Sequence, residues 1–193
     1  MRTRLAVVAT IVGLIVASSA QAGHHLWVFT EMFSNASGSA QYVEMFTADA
    51  NEQGVGPFTI TSTTHTFNFV TNLPTAATAN TWILVATSNF ANLGVTPDYI
   101  IPAQFFPTGG GTLNYAGGVQ VWNYGAVPVD GYHSLHRDGT TAVNSPTNFA
   151  GTTRTVYLTP GVPMLPRWGL AVLLGAMLFA ASGLLRKRVD STA

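Results

Sequence analysis

The chain has 193 residues, with eight bases and eight acids in formal balance, no cysteine and 47% hydrophobic residues. Lacking cysteine, it has neither disulfides, thiolate metal ligands nor a thiol nucleophile. The zero net charge hides a division: Arg2, Arg4, Arg167, Arg186, Lys187 and Arg188 flank two apolar ends. Residues 23–161 carry seven acids (Glu31, Glu44, Asp49, Glu52, Asp98, Asp130, Asp138) and two bases (Arg137, Arg154), a net of about −5. That middle region is expected to be acidic, which argues against nonspecific nucleic-acid binding.

Arg2 and Arg4 precede an apolar run over residues 5–17, followed by Ser18-Ser19-Ala20-Gln21-Ala22. A basic, apolar, then small-residue order ending in Ala-x-Ala predicts a signal peptide over 1–22. The secretion machinery would carry the chain, and signal peptidase would cut between Ala22 and Gly23. The new end, Gly23-His24-His25, then presents a free amine, two amides and the His25 imidazole. Those four nitrogens suit square-planar Cu(II) or Ni(II). The plainer reading is two solvated histidines at a frayed end, with no cofactor.

From Leu26 onward the hydrophobic period is two. Strands are predicted over 26–33, 41–46, 58–63, 65–71, 82–86, 119–124 and 153–158, with a turn at 35–39 and a loop at 51–57. Trp82-Ile83-Leu84-Val85-Ala86 is continuously apolar, as in a strand buried on both faces, and is placed centrally. Residues 97–112 read as a long connection, with Pro102, Pro107 and Gly109-Gly110-Gly111. No sustained helical period occurs between residues 23 and 161. The expected class is all-β, one sandwich or barrel domain over 23–161.

Thr30-Glu31-Met32, the 41–46 segment and the 82–86 segment resemble the opening strands of lamin-tail domains. Glu44 and Phe46 match that family's acid and aromatic, whereas Thr47 replaces its usual Asn and the later Gly-Trp segment is missing. The resemblance implies an Ig-like sandwich used for binding or scaffolding rather than catalysis.

Several residues of the body invite a chemical reading. Residues 130–138 gather Asp130, His133, Ser134, His136 and Asp138, an acid, histidine and serine together. On a strand, His133 and His136 point to opposite faces and share no metal. A polar hairpin between two Asp-Gly turns is the preferred reading. Glu31 and Glu44 on neighbouring strands have the makings of an acid/base pair; strand-end or solvent-facing positions are the expectation. Trp27, Trp82 and Trp122 read as core before sugar platform. Asn35-Ala36-Ser37 fits a glycosylation acceptor, a frequent chance match, and the triple glycine lacks the Lys of a phosphate loop.

No charge falls between Arg167 and Arg186. At about 1.5 Å per residue that helix is roughly 27 Å long, near a hydrocarbon core of about 30 Å. One transmembrane helix is therefore expected within 162–193. The basic end Arg186-Lys187-Arg188 would stay in the cytoplasm, with the body outside. Val162-Pro163-Met164-Leu165-Pro166-Arg167-Trp168-Gly169 resembles the IPTL-CTERM sorting motif, a relative of PEP-CTERM signals. Pro163, Leu165, Trp168 and Gly169 match; Met164 and Arg167 depart from the usual Thr and acidic or polar residue. The resemblance implies an exosortase-like partner in the membrane lipid. The whole predicts a non-enzymatic cell-envelope protein meeting a surface or matrix component. A carbohydrate-binding module, or a secreted hydrolase or copper protein, is the alternative.

Overall fold

The computed structural model describes residues 26–158. The expected leader, copper site, sorting motif, membrane span and basic tail lie outside those residues. Among the described residues no helix is long and apolar enough to cross a membrane.

Ten strands follow in chain order: β1 (Val28–Ser34), β2 (Gln41–Thr47), β3 (Thr59–Thr61), β4 (Thr66–Asn68), β5 (Thr81–Thr87), β6 (Tyr99–Ile101), β7 (Gly111–Tyr115), β8 (Gln120–Tyr124), β9 (His133–His136) and β10 (Thr141–Val143). They form a six-stranded sheet, β10-β9-β1-β2-β5-β6, and a four-stranded sheet, β4-β3-β7-β8. The all-β class is thus observed. β5 lies inside the larger sheet with Ile83 to Ala86 fully buried, as its unbroken apolar run requires.

Alternation sends Phe29, Met45, Ile83 and Val85 between the sheets, against Ile60, Phe69, Leu113, Tyr115 and Trp122. The opposite face of the large sheet is apolar too. There Phe33, Tyr42, Leu84 and Ala86 pack beneath Phe90 of the 3-10 helix Ser88–Leu93, and beneath Val95 and Val156. The large sheet is therefore a middle layer, covered on its second side by irregular chain.

Several expectations need correction. The 97–112 connection contains β6 and the start of β7, and β6 runs parallel to β5. The expected strands at 58–63 and 65–71 pair over three residues each. Residues 153–158 form no strand, only a single bridge from Thr153 to Thr147. Trp27 and Trp122 are core, and Trp82 is half-buried against Phe46 at 5.0 Å between ring centres.

Most of the acids do not reach the surface. Glu31, Glu44 and Glu52 are buried and Asp98 half-buried, which leaves Asp49, Asp130 and Asp138 opposed by Arg137 and Arg154 on the exterior. The described body presents a nearly neutral surface of Ser, Thr, Asn and Gly.

Candidate functional site: buried carboxylates and two open clefts

The carboxylate pair owes its position to one irregularity. Between Phe29 and Glu31 the register of β1 against β2 shifts, leaving Thr30 as an extra residue. Without it, Phe29 and Glu31 would share a face. With it, Phe29 and Met32 enter the inter-sheet core, while Glu31 turns to the second face, directly opposite Glu44. Both are buried in mid-sheet, at 2% and 4% exposure, contrary to the solvent-facing expectation.

Each acid is met by donors. Glu31 Oε1 accepts from the Tyr42 hydroxyl at 2.6 Å, the Ser134 hydroxyl and the Ser145 amide at 2.9 Å; Oε2 accepts from the Ser145 hydroxyl at 3.1 Å. Glu44 accepts from the Thr30 hydroxyl at 2.8 Å and the Thr147 amide at 2.7 Å. Burial pushes the Glu44 carboxyl up to about 8, with the Glu31 charge adding to the rise and the two hydrogen bonds opposing it. Asp98 is raised by burial too, against amide bonds from Leu84 at 2.8 Å and Phe149 at 2.9 Å.

These contacts reveal a pattern. Amides of Ser145, Thr147 and Phe149, alternate residues of one extended segment, each donate to a different carboxylate: Glu31, Glu44 and Asp98. Residues 144–158 form a strap that doubles back at 148–152, where the Asn148 amide donates to the Thr152 carbonyl and the Gly151 amide to the Asn148 carbonyl, and the acids hold its outgoing arm. Asn144 extends the device, donating to the carbonyls of Tyr132 and Val156 and accepting from the Val156 amide at 2.7 Å. Beside that pair, where the strap returns, the Leu158 amide donates to the Gly131 carbonyl at 2.8 Å. Gly131 sits at φ 79°, and a Cβ there would overlap the Leu158 carbonyl oxygen.

Residues 130–138 supply one strand of a polar hairpin, not the whole: it runs from β9 to β10 with Asp138-Gly139 in its turn and Asp130-Gly131 ahead of β9. His133 and His136 point to opposite faces of β9. His133 Nδ1 meets Asp130 Oδ2 at 2.5 Å, but Ser134 faces the other way, onto Glu31. His136 Nε2 is 3.5 Å from the Ser134 hydroxyl, which places serine between histidine and acid. A catalytic triad needs the acid to orient the histidine instead. Among the described residues no group of three His, Cys, Asp or Glu is placed to hold a metal.

Two open clefts lie elsewhere. One, of about 350 Å³, is lined by Ser37, Gly38, His65, Gln104, Pro107 and Thr108 among others. The second, of about 290 Å³, runs past Asn72, Tyr99, Phe149 and Asp98. Glu31 and Glu44 line neither of these two clefts, and as a pair they hold the strap. The strap is signalled in the sequence by the dense run Asn144-Ser145-Pro146-Thr147-Asn148, all side-chain or turn formers. The first cleft has no such signal, because its lining comes from three distant segments.

Comparison with known proteins adds no relative: no family model, no curated protein and no solved structure matches this chain.

Proposed function

We propose that the chain is an exported, non-enzymatic envelope module, held at the cytoplasmic membrane by its C-terminal helix and displayed outside. The observation that supports this reading best is the use to which its buried polar groups are put. Glu31, Glu44, Asp98 and Asn144 all fasten residues 144–158, the segment leading into the tail. A module carried on a C-terminal anchor needs its last segment locked to its sheet. The neutral, hydroxyl-rich surface fits an extracellular address, where solubility rests on Ser, Thr and Asn.

In this reading an Ig-like, lamin-tail-like sandwich serves as scaffold. Signal peptidase and an exosortase-like enzyme at Pro163, Leu165, Trp168 and Gly169 are the processing partners. Mass spectrometry of the intact protein from its native host, combined with protease treatment of whole cells, tests it. A chain starting at Gly23 and digested from outside is the expected result. A full-length chain in the cytosol would overturn it.

A further inference from the structure

We propose that the 350 Å³ cleft at the β1–β2 end of the sandwich binds an uncharged saccharide. The inference goes beyond envelope display and concerns the purified chain whatever its address.

Three segments build the cleft: the β1–β2 turn, the β3–β4 turn and the 104–108 connection. Gln104 holds the first to the third. It takes a left-handed backbone conformation, φ 57°, uncommon for any residue but glycine. There its amide donates to the Gly38 carbonyl at 2.8 Å, and its side-chain Nε2 to the Ser37 carbonyl at 3.2 Å. A Cβ at Gly38 would crowd the Gln104 Cγ, so glycine is what lets the two turns close. Beneath, the buried Gln41 grips Phe106, donating to its carbonyl at 2.9 Å and accepting from its amide at 3.3 Å. The β3–β4 turn is fixed by the Phe105 carbonyl, which accepts from Thr64 Oγ1 at 2.9 Å and lies 3.2 Å from His65 Nδ1.

This bracing leaves three groups on the lining without a partner among the described residues: Gln104 Oε1, the Thr108 hydroxyl and His65 Nε2. Strained backbone held by its surroundings concentrates where a side chain must be presented in one orientation. No Asp, Glu, Lys or Arg lines the cleft. Between residues 53 and 129 the chain's sole charged side chain is Asp98, in the other cleft. An ionic ligand finds no counter-charge, and an apolar one would strip water from an amide and a hydroxyl without replacing it. A neutral polyol answers both conditions, with Pro107 offering an apolar wall to its C–H face. The volume lies within the range of about 300–1,000 Å³ usual for small-molecule sites.

The test uses the full chain in a detergent without a sugar headgroup, titrated with maltotriose, cellotriose and chitotriose and, as the charged control, trigalacturonate. The expected result is saturable, salt-insensitive binding of at least one neutral trisaccharide. Gln104→Gly and Thr108→Val each weaken it by about three- to tenfold, the loss of one hydrogen bond. Thr108→Val keeps the wild-type unfolding midpoint, because valine matches threonine in shape and the lost hydroxyl has no partner among the described residues. Gln104→Gly also gives up the bond to the Ser37 carbonyl, so its binding is read well below its own unfolding midpoint. The proposal is overturned if no neutral trisaccharide saturates below about 10 mM. It is equally overturned if both variants bind like wild type, or if trigalacturonate binds more tightly than the neutral sugars.

Discussion

Replacing Glu44 by glutamine should remove most of the pH dependence of stability between pH 5 and 9. Burial raises this carboxyl from 4.5 to about 8, so the folded chain holds a proton that the unfolded chain releases. The stability linked to that proton is fully present below pH 4.5 and drains away as pH rises through about 8. Moving one group over that interval corresponds to about 5 kcal/mol, at roughly 1.36 kcal/mol per pH unit. Asp98, also raised by burial, adds a smaller loss of the same sign. The raised tyrosines Tyr42 and Tyr99 act only above their ordinary 10, and Asp130 and Asp138, both lowered, act below 3.8. A glutamine side chain at this position would keep the geometry. Its oxygen accepts from the Thr147 amide, and its amide donates to the Thr30 hydroxyl, which turns to the residue 44 carbonyl 3.3 Å away. Denaturant titration of both proteins at pH 5, 7 and 9 measures the effect. A wild-type stability that is flat or rises with pH refutes the reasoning, as does an unchanged slope in Glu44→Gln.

Gly131→Ala should lose about 1–3 kcal/mol, since it combines a left-handed backbone with overlap on Leu158. Hydrogen exchange should show the Leu158 amide opening before the sheet amides. Asn144→Ala removes three side-chain hydrogen bonds, two of them buried, and is expected to cost about 2–4 kcal/mol in thermal or chemical unfolding. Tyr115→Phe goes the other way. Its buried hydroxyl has no hydrogen-bond partner among the described residues, and removing it should raise stability by about 1 kcal/mol in the same assay.

Where period and burial agree, the elements are legible in the sequence. β1, β2, β5 and β8 are long enough for alternation, or its absence in β5, to show. β6 is three residues after an Asp-terminated turn, and β7 begins on the last of three glycines, so neither carries a pattern. Thr30 misleads more subtly. Strict alternation from Trp27 puts Glu31 beside Phe29, and nothing local announces the extra residue that turns it to the other face. The acids mislead for the same reason. A formal charge count treats Glu31, Glu44 and Glu52 as surface, whereas all three are consumed inside by amide and hydroxyl donors. The Gln104 cleft is invisible at that level because positive φ at a glutamine has no sequence signature.

The strap explains why so costly a set of groups lies under it. Burying carboxylates is unfavourable, and well-packed apolar residues at 31, 44 and 98 would desolvate more cheaply. Such a surface, however, offers no acceptor to the amides of Ser145 and Thr147, which lie over the sheet face, or to that of Phe149, which meets Asp98 just before the edge strand β6. Three orphaned amides would each cost about 1–3 kcal/mol and would leave the strap free to slide. Acceptors at alternate residues fix its register instead, as a ladder would, and Asn144 and Gly131 lock its two ends. A pull on the tail beyond residue 158 would load the Leu158–Gly131 bond first, then the Asn144–Val156 pair, and the carboxylates last. Under steady force from the C-terminus, Gly131→Ala should therefore lower the force of the first opening step while leaving that of sheet rupture unchanged. Equal weakening of both steps would show that the strap and the sheet yield as one unit.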